Sequence, residues 1–343
     1  MTKKRITSQD VADLANVSRT TVSLVLNDVA GANIPQPTRD KVLQAVKELG
    51  YVPNASARAL ASQQARAIGM VMTRSPEHIA SDAFLPKIIA GLLNGIKEAR
   101  FRLLIETVDG DNPGAYVELA RAKHIDGMII LTPNTADQGL KKLQAMGIPT
   151  VLFGNMPGSA LPYVQIDNRA AARKATQYLL DLGHRKIAFI TNAPPSYSSA
   201  QYRLEGYQDA LLGSGVPVRA ELIEYGDFSP ESGFAAMQKI LERDAGFSAV
   251  FVASDNVALG AKSALSQAGL TIPGDISMVG FDDLPWAAFS NPPLTTIRLP
   301  ALKMAARASQ LLLEIIKEDG EVEETEINLA TELIIRQSCK PLK

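Results

Sequence analysis

The chain has 343 residues, a formal net charge of −1, 46% hydrophobic residues and 21% charged residues. These values are typical of soluble globular proteins, and they exclude a disordered, collagen-like or disulfide-stapled chain. The length predicts two or three domains. Because Cys339 is the single cysteine, no intramolecular disulfide and no thiolate metal cluster can form within the chain.

The same features predict the compartment. The first residues are basic and then amphipathic, without the apolar core of a secretory signal, and no apolar run reaches about 18 residues. A lone cysteine favours a reducing compartment. We therefore expect a cytoplasmic protein with no membrane segment.

Charge is distributed unevenly along the chain. Residues 1–62 contain eight Lys and Arg against five Asp and Glu, a net charge of +3, whereas the remaining residues carry −4. The net charge of the whole chain indicates no partner, but a basic segment is a candidate for contact with a polyanion. The N-terminal segment is therefore the first place to look for function.

Three short helices are predicted before residue 51. Thr7 or Ser8 can cap the first, Ser18 can cap the second, and the third runs from Thr38 to a stop at Gly50. Apolar residues at helical spacing predict one buried stripe on each helix. The predicted inward positions are Val11, Leu14 and Ala15 in the first helix, Val22, Val25 and Leu26 in the second, and Val42, Leu43, Val46 and Leu49 in the third.

A short helix is predicted in residues 51–66, where Asn54 can cap a run of alanines that contains Leu60. Such a helix buries little apolar surface. Because isolated helices shorter than about 12 residues are marginal in water, we expect this one to order only against a partner or nucleic acid.

From residue 67 onward, apolar runs alternate with amphipathic helices, which is typical of parallel sheets with crossover helices. The first predicted strands are IGMVM, RLLIE, GMIIL and PTVLF. YVQI at 163–166 opens a second series with KIAFI, ELIEY, SAVFV and ISMVG. The strand TTIRL, a helix near 301–317 and two closing strands at 323–329 and 333–337 follow. The pattern predicts two similar α/β halves, with the chain crossing back between them.

Two helices joined by a three-residue turn fit a helix-turn-helix, whose second helix enters the major groove of DNA. A helical capping or dimerisation unit fits the same periodicity. The side chains favour DNA, because Ser18, Thr20, Thr21, Ser23 and Asn27 place short hydrogen-bonding groups on the outward face and entry of the second helix. An ordinary exposed helix would carry Glu and Lys there.

The segments ITSQDVADLANVSRTTVSLVLN and TRDKVLQAVKELGYVPNASARAL resemble the LacI family of bacterial transcriptional regulators. The shared motifs are D-V-A, N-V-S, T-V-S, G-Y-x-P-N and A-R-x-L. The resemblance extends through the α/β region over essentially the whole chain, and it implies an all-α DNA-binding domain followed by a two-lobed, doubly wound parallel-sheet domain. The implied boundaries are 1–50 for the helix-turn-helix, 51–66 for the hinge helix and linker, and 67–343 for the effector-binding and dimerisation domain, with an N-lobe of 67–164 and 294–322 and a C-lobe of 165–293 and 323–343.

The resemblance implies that Arg19, Thr20 and Leu24 contact bases. Leu24 replaces an arginine that is common at this position, so it offers only apolar contact, for instance to a thymine methyl group. Leu60 matches a leucine that wedges into the minor groove and kinks DNA, although interdomain packing is an alternative role. The implied DNA-contacting residues are Thr7, Ser8, Ser18, Arg19, Thr20, Thr21, Ser23, Leu24, Asn27, Asn54, Ala57 and Leu60.

The α/β region resembles the type I periplasmic sugar-binding fold, in which ligands bind between two halves at the carboxyl ends of strands. Arg203 and Asp282 match the family's effector-contacting arginine and aspartate. A guanidinium donates to neighbouring hydroxyls and a carboxylate accepts from others, which suits a polyol; a structural salt bridge is the alternative. The implied effector-contacting residues are Arg74, Tyr197, Arg203, Phe228, Ser254, Asp255, Asp282 and Trp286.

The identity of the effector is less constrained. Phe228 occupies a stacking position of the family, whereas Trp286 fits ring stacking and core packing equally. Tyr197 stands where purine-responsive members carry an arginine, which disfavours a nucleobase. Ser254 and Gly154 depart from residues common in sugar-responsive members, so the particular sugar stays open. We expect a sugar or sugar derivative, with a nucleobase or another metabolite as the alternative.

Enzymatic functions lack their motifs. The sequence has no G-x-x-x-x-G-K-[S/T] loop and no strand-linked G-x-G-x-x-G. His78, His124 and His184 lack metal-ligand spacing, and Asp282 with Asp283 has no accompanying acid, base or metal pattern. We predict that the protein is not an enzyme and holds no cofactor and no metal ion.

The remaining alternative is a sugar-binding protein for transport, which fits residues 67–343 but leaves the N-terminal 62 residues without a purpose. We therefore expect a homodimeric repressor, since a pseudo-palindromic operator in double-stranded DNA presents two half-sites related by a two-fold axis. A small-molecule effector, expected to be a carbohydrate, would control its affinity for that DNA.

Overall fold

Two separate folding units lie along the chain. In the computed structural model, Met1–Arg66 and Ala67–Lys343 form distinct compact units. The structure describes residues 6–26, 32–52, 64–73, 76–108, 112, 114–135, 137–317 and 322–342. The helices of the first unit are α1 (Ser8–Ala15), α2 (Arg19–Leu26) and α3 (Gln36–Leu49).

The ends of these helices carry residues whose chemistry suits them. Thr7 and Asp10 form a capping box, in which the Thr7 hydroxyl accepts the Asp10 N–H and the Asp10 carboxylate accepts the Thr7 N–H. Ser18 Oγ accepts a backbone N–H in the first turn of α2 at 3.0 Å. Asn16 and Gly50 adopt left-handed conformations after α1 and α3. The predicted boundaries of these three helices are confirmed except at α3, which begins two residues before Thr38. The short helix predicted within residues 51–66 lies outside the described residues.

The core of the first unit consists of small apolar residues. Leu14 and Leu43 were predicted to face inward, and this is wrong, because each side chain is 47% exposed. At 100° of rotation per residue, each leucine lies more than about 100° from the centre of the buried stripe on its helix. Short helices pack closely through Val and Ala at those stripes instead. The buried residues are Val11, Ala12, Ala15, Val22, Val25, Val42 and Ala45.

The second unit contains two six-stranded sheets. The first sheet has the order β11-β5-β4-β3-β1-β2, and its pairings are parallel. Its strands are β1 (Ala67–Met72), β2 (Arg102–Thr107), β3 (Gly127–Leu131), β4 (Thr150–Phe153), β5 (Tyr163–Ile166) and β11 (Glu326–Leu329). The second sheet has the order β12-β10-β9-β8-β6-β7, with β12 antiparallel to β10. Its strands are β6 (Ile187–Ile190), β7 (Ile223–Glu224), β8 (Ala249–Val252), β9 (Ser277–Asp282), β10 (Thr295–Arg298) and β12 (Glu332–Ile334).

Helices cover both sheets, as expected for parallel strands buried on two faces. They are α4 (Pro76–Ser81), α5 (Leu85–Ile96), α6 (Ala115–Arg121), α7 (Gln138–Ala145), α8 (Asn168–Asp181), α9 (Ser198–Gly213), α10 (Pro230–Glu242), α11 (Asp255–Gln267) and α12 (Ala301–Lys317). Close packing of α10 on α11 requires Gly260, because a Cβ there would lie 1.7 Å from the Pro230 carbonyl oxygen. Among the described residues, no helix is long and apolar enough to cross a bilayer.

Each sheet with its helices forms one lobe, and the strand pairing corrects the predicted lobe boundaries. YVQI, predicted to open the second series, is β5 of the first sheet. β10 belongs to the second sheet rather than the first lobe, and β11 belongs to the first sheet rather than the second. The sequences of the short strands near the C-terminus do not show which strands they pair with, because pairing depends on contacts between segments that are separate in the chain. The predicted strand ELIEY is reduced to the two residues of β7.

Candidate functional site

A cavity of about 780 Å³, including its open mouth, lies between the two lobes. Strands of both sheets end here, which is where doubly wound folds bind ligands. The first-lobe wall is mainly apolar, although Asp82, Thr132 and Gln165 interrupt it. Its apolar members include Phe84, Ile88, Pro133, Phe153, Ile166 and Met304. The second-lobe wall is mainly polar, with Phe228 as its aromatic member. Its polar members include Asn168, Asn192, Ser198, Ser199, Arg203, Ser254 and Asp282.

Arg203 projects from α9 into this wall and is held on three sides. Its Nε donates to Asn168 Oδ1 at 2.9 Å, and its Nη1 donates to the Ala253 carbonyl at 2.6 Å. The guanidinium carbon lies 3.7 Å from the centre of the Phe281 ring, within the range of cation–π contact. The side chain is therefore fixed in one orientation before any ligand arrives.

Asp282 ends β9 and faces the same cavity. Its side chain accepts a hydrogen bond from Ser254 Oγ at 3.1 Å. The backbone φ of Asp282 is +112°, a conformation that costs about 1–3 kcal/mol for a residue with a Cβ. Such strain is concentrated at functional sites because the surrounding structure must hold it in place. The position of the carboxylate is thus imposed by the fold of the second lobe.

Burial opposes the charges of both groups. It lowers the pKa of Arg203 to about 10, although the nearby Asp282 charge partly compensates. Burial raises the pKa of Asp282 to about 6, and Asp82 of the first lobe raises it further, whereas Arg203 lowers it. Arg203 remains charged at neutral pH. The cavity therefore presents a fixed donor fork beside a carboxylate acceptor, which is suited to a ligand with neighbouring hydroxyls.

An aromatic corner closes one end of the polar wall. The rings of Tyr197 and Phe228 meet edge to face, with centroids 5.2 Å apart. Phe228 lines the cavity and adopts a φ of +58°. Its carbonyl accepts from Asn256 Nδ2 at 2.7 Å. Tyr197, also predicted to contact the effector, lies beside this ring rather than in the cavity wall.

Two predicted effector residues lie elsewhere. Asp255 is fully buried, and its carboxylate accepts from the Leu284 N–H at 2.8 Å and from Thr296 Oγ1 at 2.7 Å. Burial raises its pKa well above the ordinary value. These bonds join α11 to β10 and to the segment after β9, so the role of Asp255 is structural. Trp286 packs against the core of the second lobe, which corresponds to the packing alternative.

Asp282 and Asp283 do not form a pair of reacting carboxylates. Asp283 makes ion pairs with Arg298 at 2.7 Å and with Arg336 at 2.6 Å, and these arginines hold its pKa below the ordinary value despite partial burial. Asp282 faces the cavity instead. In the part of the chain that the structure describes, no group of three or more His, Cys, Asp or Glu side chains is placed to hold a metal ion.

Polar contacts link the lobes around the cavity. Lys87 Nζ donates to the Asp283 carbonyl at 2.6 Å, and Ser198 Oγ donates to the Asn155 carbonyl at 2.6 Å. Asn256 Nδ2 also donates across the cleft to the Ser81 carbonyl at 2.9 Å. These bonds hold the two lobes close together, so that residues from both can touch one ligand.

Several lining residues escaped the sequence analysis as effector contacts. Asp82 and Phe84 lie just before α5, and Asn168 is the first residue of α8. Loop and helix-start positions carry no periodic signal. The signal that could have found Ser198 and Ser199 is their place on the first turn of α9, the helix that also carries Arg203.

The outward surface of α2 carries the predicted DNA-contacting residues. Ser18, Arg19, Thr20 and Ser23 are exposed, whereas Thr21 and Leu24 are half-buried. In α1, the Thr7 side chain is engaged in its capping box and Ser8 is half-buried. Five predicted site residues lie outside the described part of the chain: Asn27, Asn54, Ala57, Leu60 and Arg74.

Together, the helix-turn-helix unit and the two-lobed unit with its polyol-suited cavity define a ligand-responsive DNA-binding protein. Comparison with known proteins agrees. Residues 7–54 match the family model for bacterial regulatory proteins of the lacI family, and residues 176–339 match a periplasmic binding protein-like domain. The chain is 34% identical to the HTH-type transcriptional regulator CelR of Thermobifida fusca, and 32% identical to the catabolite control protein A of Priestia megaterium. Each alignment covers 98% of this chain and 99% of the relative.

The chain belongs to the lacI family of bacterial regulatory proteins and is a DNA-binding transcriptional regulator. Solved structures give the same assignment. A lac repressor dimer bound to operator and an anti-inducer matches 98% of this chain and 100% of that one, with a TM-score of 0.84 and 29% identity. A CelR–cellobiose complex covers 97% and 100%, with a TM-score of 0.75 and 33% identity. The predicted family, fold class and regulatory function are thereby confirmed.

Proposed function

We propose that the protein is a homodimeric repressor whose two α2 helices bind a pseudo-palindromic operator in double-stranded DNA, and whose operator affinity is set by a sugar in the cavity between the lobes. Arg19, Thr20 and Leu24 contact bases. The other predicted α1 and α2 residues position the helices on the phosphates. The exposure of Arg19 and Thr20 on α2 supports this assignment.

Each of three consecutive segments of the chain has its own role in this proposal. Residues 1–50 bind DNA, residues 51–66 form the hinge helix and linker, and residues 67–343 bind the effector and dimerise. Leu60 wedges into the minor groove in this proposal. A dimer is supported by the lac repressor relative, which is described as a dimer on its operator. A regulator of this kind works where DNA is, in the cytoplasm, and it needs no catalytic activity.

The observation that carries the effector proposal is the fixed Arg203 and Asp282 pair in a wall that faces an apolar one. A pyranose has hydroxyls around its edge and apolar faces, so it can satisfy both walls at once. Cellobiose, the ligand in the CelR complex, is therefore the first sugar to test. A nucleobase in its usual keto and amino forms has no hydroxyl group to offer to this wall.

Binding of a sugar would change the equilibrium between two arrangements of the lobes, because both walls contact it only when the cleft is closed. The paired hinge segments of a dimer would then change their spacing and their order on DNA. A coupling free energy of about 1–3 kcal/mol, equivalent to roughly 5- to 150-fold in operator affinity, suffices.

The test begins with selection of bound sequences from a random duplex library at about physiological salt. We expect a palindrome with two half-sites. Fluorescence anisotropy on that operator, with cellobiose titrated in, then measures the response. Arg203→Ala should bind the operator with unchanged affinity and lose the response. Arg173→Ala, at an exposed arginine of the same lobe, is the matched control and should respond normally.

Three outcomes contradict parts of the proposal. Thermal stabilisation by cellobiose without DNA affinity at any salt concentration favours the transport-type alternative. Operator binding that responds to a purine but to no sugar replaces the effector class. A normal response by Arg203→Ala shows that the effector site lies elsewhere.

A further inference from the structure

One buried polar atom in the cavity wall has no hydrogen-bond partner among the described residues. Asn192 follows β6, lines the cavity and is only 5% exposed. Its Nδ2 donates to Ser199 Oγ at 3.1 Å. Its Oδ1 accepts no hydrogen bond from any of the described residues. Each of the other fully buried side-chain nitrogens and oxygens in that part of the chain has a partner.

A buried amide oxygen without a donor is expensive, because it loses its hydrogen bonds to water and gains none. Folded proteins contain few such groups, and those that exist need an explanation. Two nearby donors are used elsewhere. Thr191 Oγ1 donates to the Ala193 carbonyl at 2.7 Å, and the Phe228 N–H donates to the main-chain carbonyl of Asn192 at 2.9 Å. Because no described group donates to this oxygen, a molecule bound in the cavity can supply the missing hydrogen bond.

The amide is held in place for such a donor. The bond to Ser199 fixes its orientation from α9, and the main-chain bond to Phe228 ties it to the aromatic corner. Arg203 and Asp282 line the same cavity from the same lobe. A ligand in this cavity is therefore within reach of Phe228, of the two charged groups and of Asn192.

We propose that Asn192 is a specificity-determining residue, whose Oδ1 accepts a hydrogen bond from a hydroxyl of the effector. The proposal rests on the cavity between the lobes being the effector site. A carbonyl oxygen accepts and does not donate. This position therefore selects a hydroxyl or N–H group and discriminates against an ether, carbonyl, carboxylate or phosphate oxygen at the same place, since two acceptors repel each other.

The direct test compares the full-length wild-type protein with Asn192→Leu, which keeps the branched shape and removes the polar atoms. Isothermal titration with cellobiose should show affinity weaker by about threefold to tenfold, the usual range for one neutral hydrogen bond. The ligand-free variant should melt at the same or a higher temperature, because the unpaired oxygen is gone. A lower melting temperature of ligand-free Asn192→Leu, with unchanged cellobiose affinity, would indicate a structural role and overturn the proposal. Asn192→Ala provides a second variant with less bulk, and Asn328→Leu, at an exposed strand position, is the matched control.

Modified sugars identify the hydroxyl. A set of cellobiose analogues, each with one hydroxyl replaced by hydrogen or by methoxy, is titrated into both proteins. One deoxy analogue should bind the wild type threefold to tenfold more weakly than cellobiose does. The same analogue and cellobiose should bind Asn192→Leu equally well, because this variant already lacks the partner of the missing hydroxyl. The matching methoxy analogue should also lose affinity for the wild type. If that methoxy analogue binds as well as cellobiose, the amide faces the ligand with its N–H group and the acceptor assignment is wrong.

Failure of this proposal differs from failure of the proposed function. If neither cellobiose nor any other sugar tested binds the wild type or changes operator affinity, the sugar-effector assignment falls and this proposal falls with it. If cellobiose binds the wild type and Asn192→Leu equally, the effector site stands and only the role of Asn192 is overturned.

Discussion

The proposed functional side chains lie on the surface in the N-terminal unit and in the interior in the second lobe. In the N-terminal unit, Val and Ala fill a small core, and Arg19 and Thr20 stand on the surface of α2. In the second lobe, Arg203 and Asp282 are buried, and their charges are opposed by desolvation. A surface contact adds little to the cost of folding, whereas a buried ligand site subtracts from stability until a ligand arrives. Stability and function should therefore separate in the first unit and remain coupled in the second.

The largest expected effect comes from the core of the N-terminal unit. Val42→Asp places a charge among buried valines and alanines, and we expect a loss of about 4 kcal/mol or more, enough to unfold a unit of this size. Operator binding should be abolished in anisotropy measurements. The thermal transition of the second unit and its stabilisation by sugar should be unchanged.

Leu43→Asp is the matched control for that substitution, because Leu43 is its neighbour on α3 and is exposed. We expect a change in stability within about 0.5 kcal/mol. Equal unfolding by both substitutions would show that the boundary between core and surface on α3 has been assigned wrongly.

Asp282→Asn tests whether stability and function are coupled in the second lobe. The pKa of Asp282 is raised from its unfolded value near 4 to about 6 in the folded protein. The folded state therefore binds more protons than the unfolded state between these pH values, and wild-type stability should fall as pH rises through this range. The asparagine variant lacks this titration, so its stability should be less dependent on pH, by up to about 3 kcal/mol between pH 4 and 6.5.

Chemical denaturation of the ligand-free proteins at several pH values measures this difference. The same variant should lose its response to sugar while its operator affinity without sugar is retained. If the stability of the two proteins changes equally with pH, burial does not raise the pKa of Asp282. The expected coupling between stability and function would then be absent at this residue.

Arg19→Ala tests the surface site. We expect a loss of about 1–3 kcal/mol in operator binding, confined to one base-pair position in each half-site, with relaxed specificity there. Melting of the N-terminal unit should not change, because the side chain is exposed. A uniform loss over all DNA sequences would instead make Arg19 a phosphate contact.

Apart from the Leu43→Asp control, the smallest expected effect is at the start of α1. Thr7→Ala removes the hydroxyl of the capping box and should destabilise the N-terminal unit by about 1 kcal/mol. Differential scanning calorimetry should show a lower transition temperature for that unit alone. A shift of the second unit's transition by the same substitution would contradict the independence of the two units.

Local chemistry made much of the fold predictable. The caps at Thr7 and Ser18 and the helix end at Gly50 follow from side chains within one turn, so the sequence alone located them. The family motifs likewise pointed to Arg203 and Asp282, which the structure brings into one cavity. The inward faces of α1 and α3 were less well predicted, because an apolar residue on a short helix can lie beside the buried stripe, as Leu14 and Leu43 do.

Long-range pairing decided what the sequence could not. Whether β5, β10 and β11 join the first or the second sheet depends on strands far away in the chain, and each short strand has the same pattern in either place. The structural role of Asp255 and the unpartnered oxygen of Asn192 depend on neighbours contributed by other elements. The sequence by itself determined the helix-turn-helix, the alternation of strands and helices and the family. Only the tertiary structure decided which buried polar groups support each other and which face the cavity, because hydrogen-bond satisfaction is a property of packed neighbours rather than of sequence order.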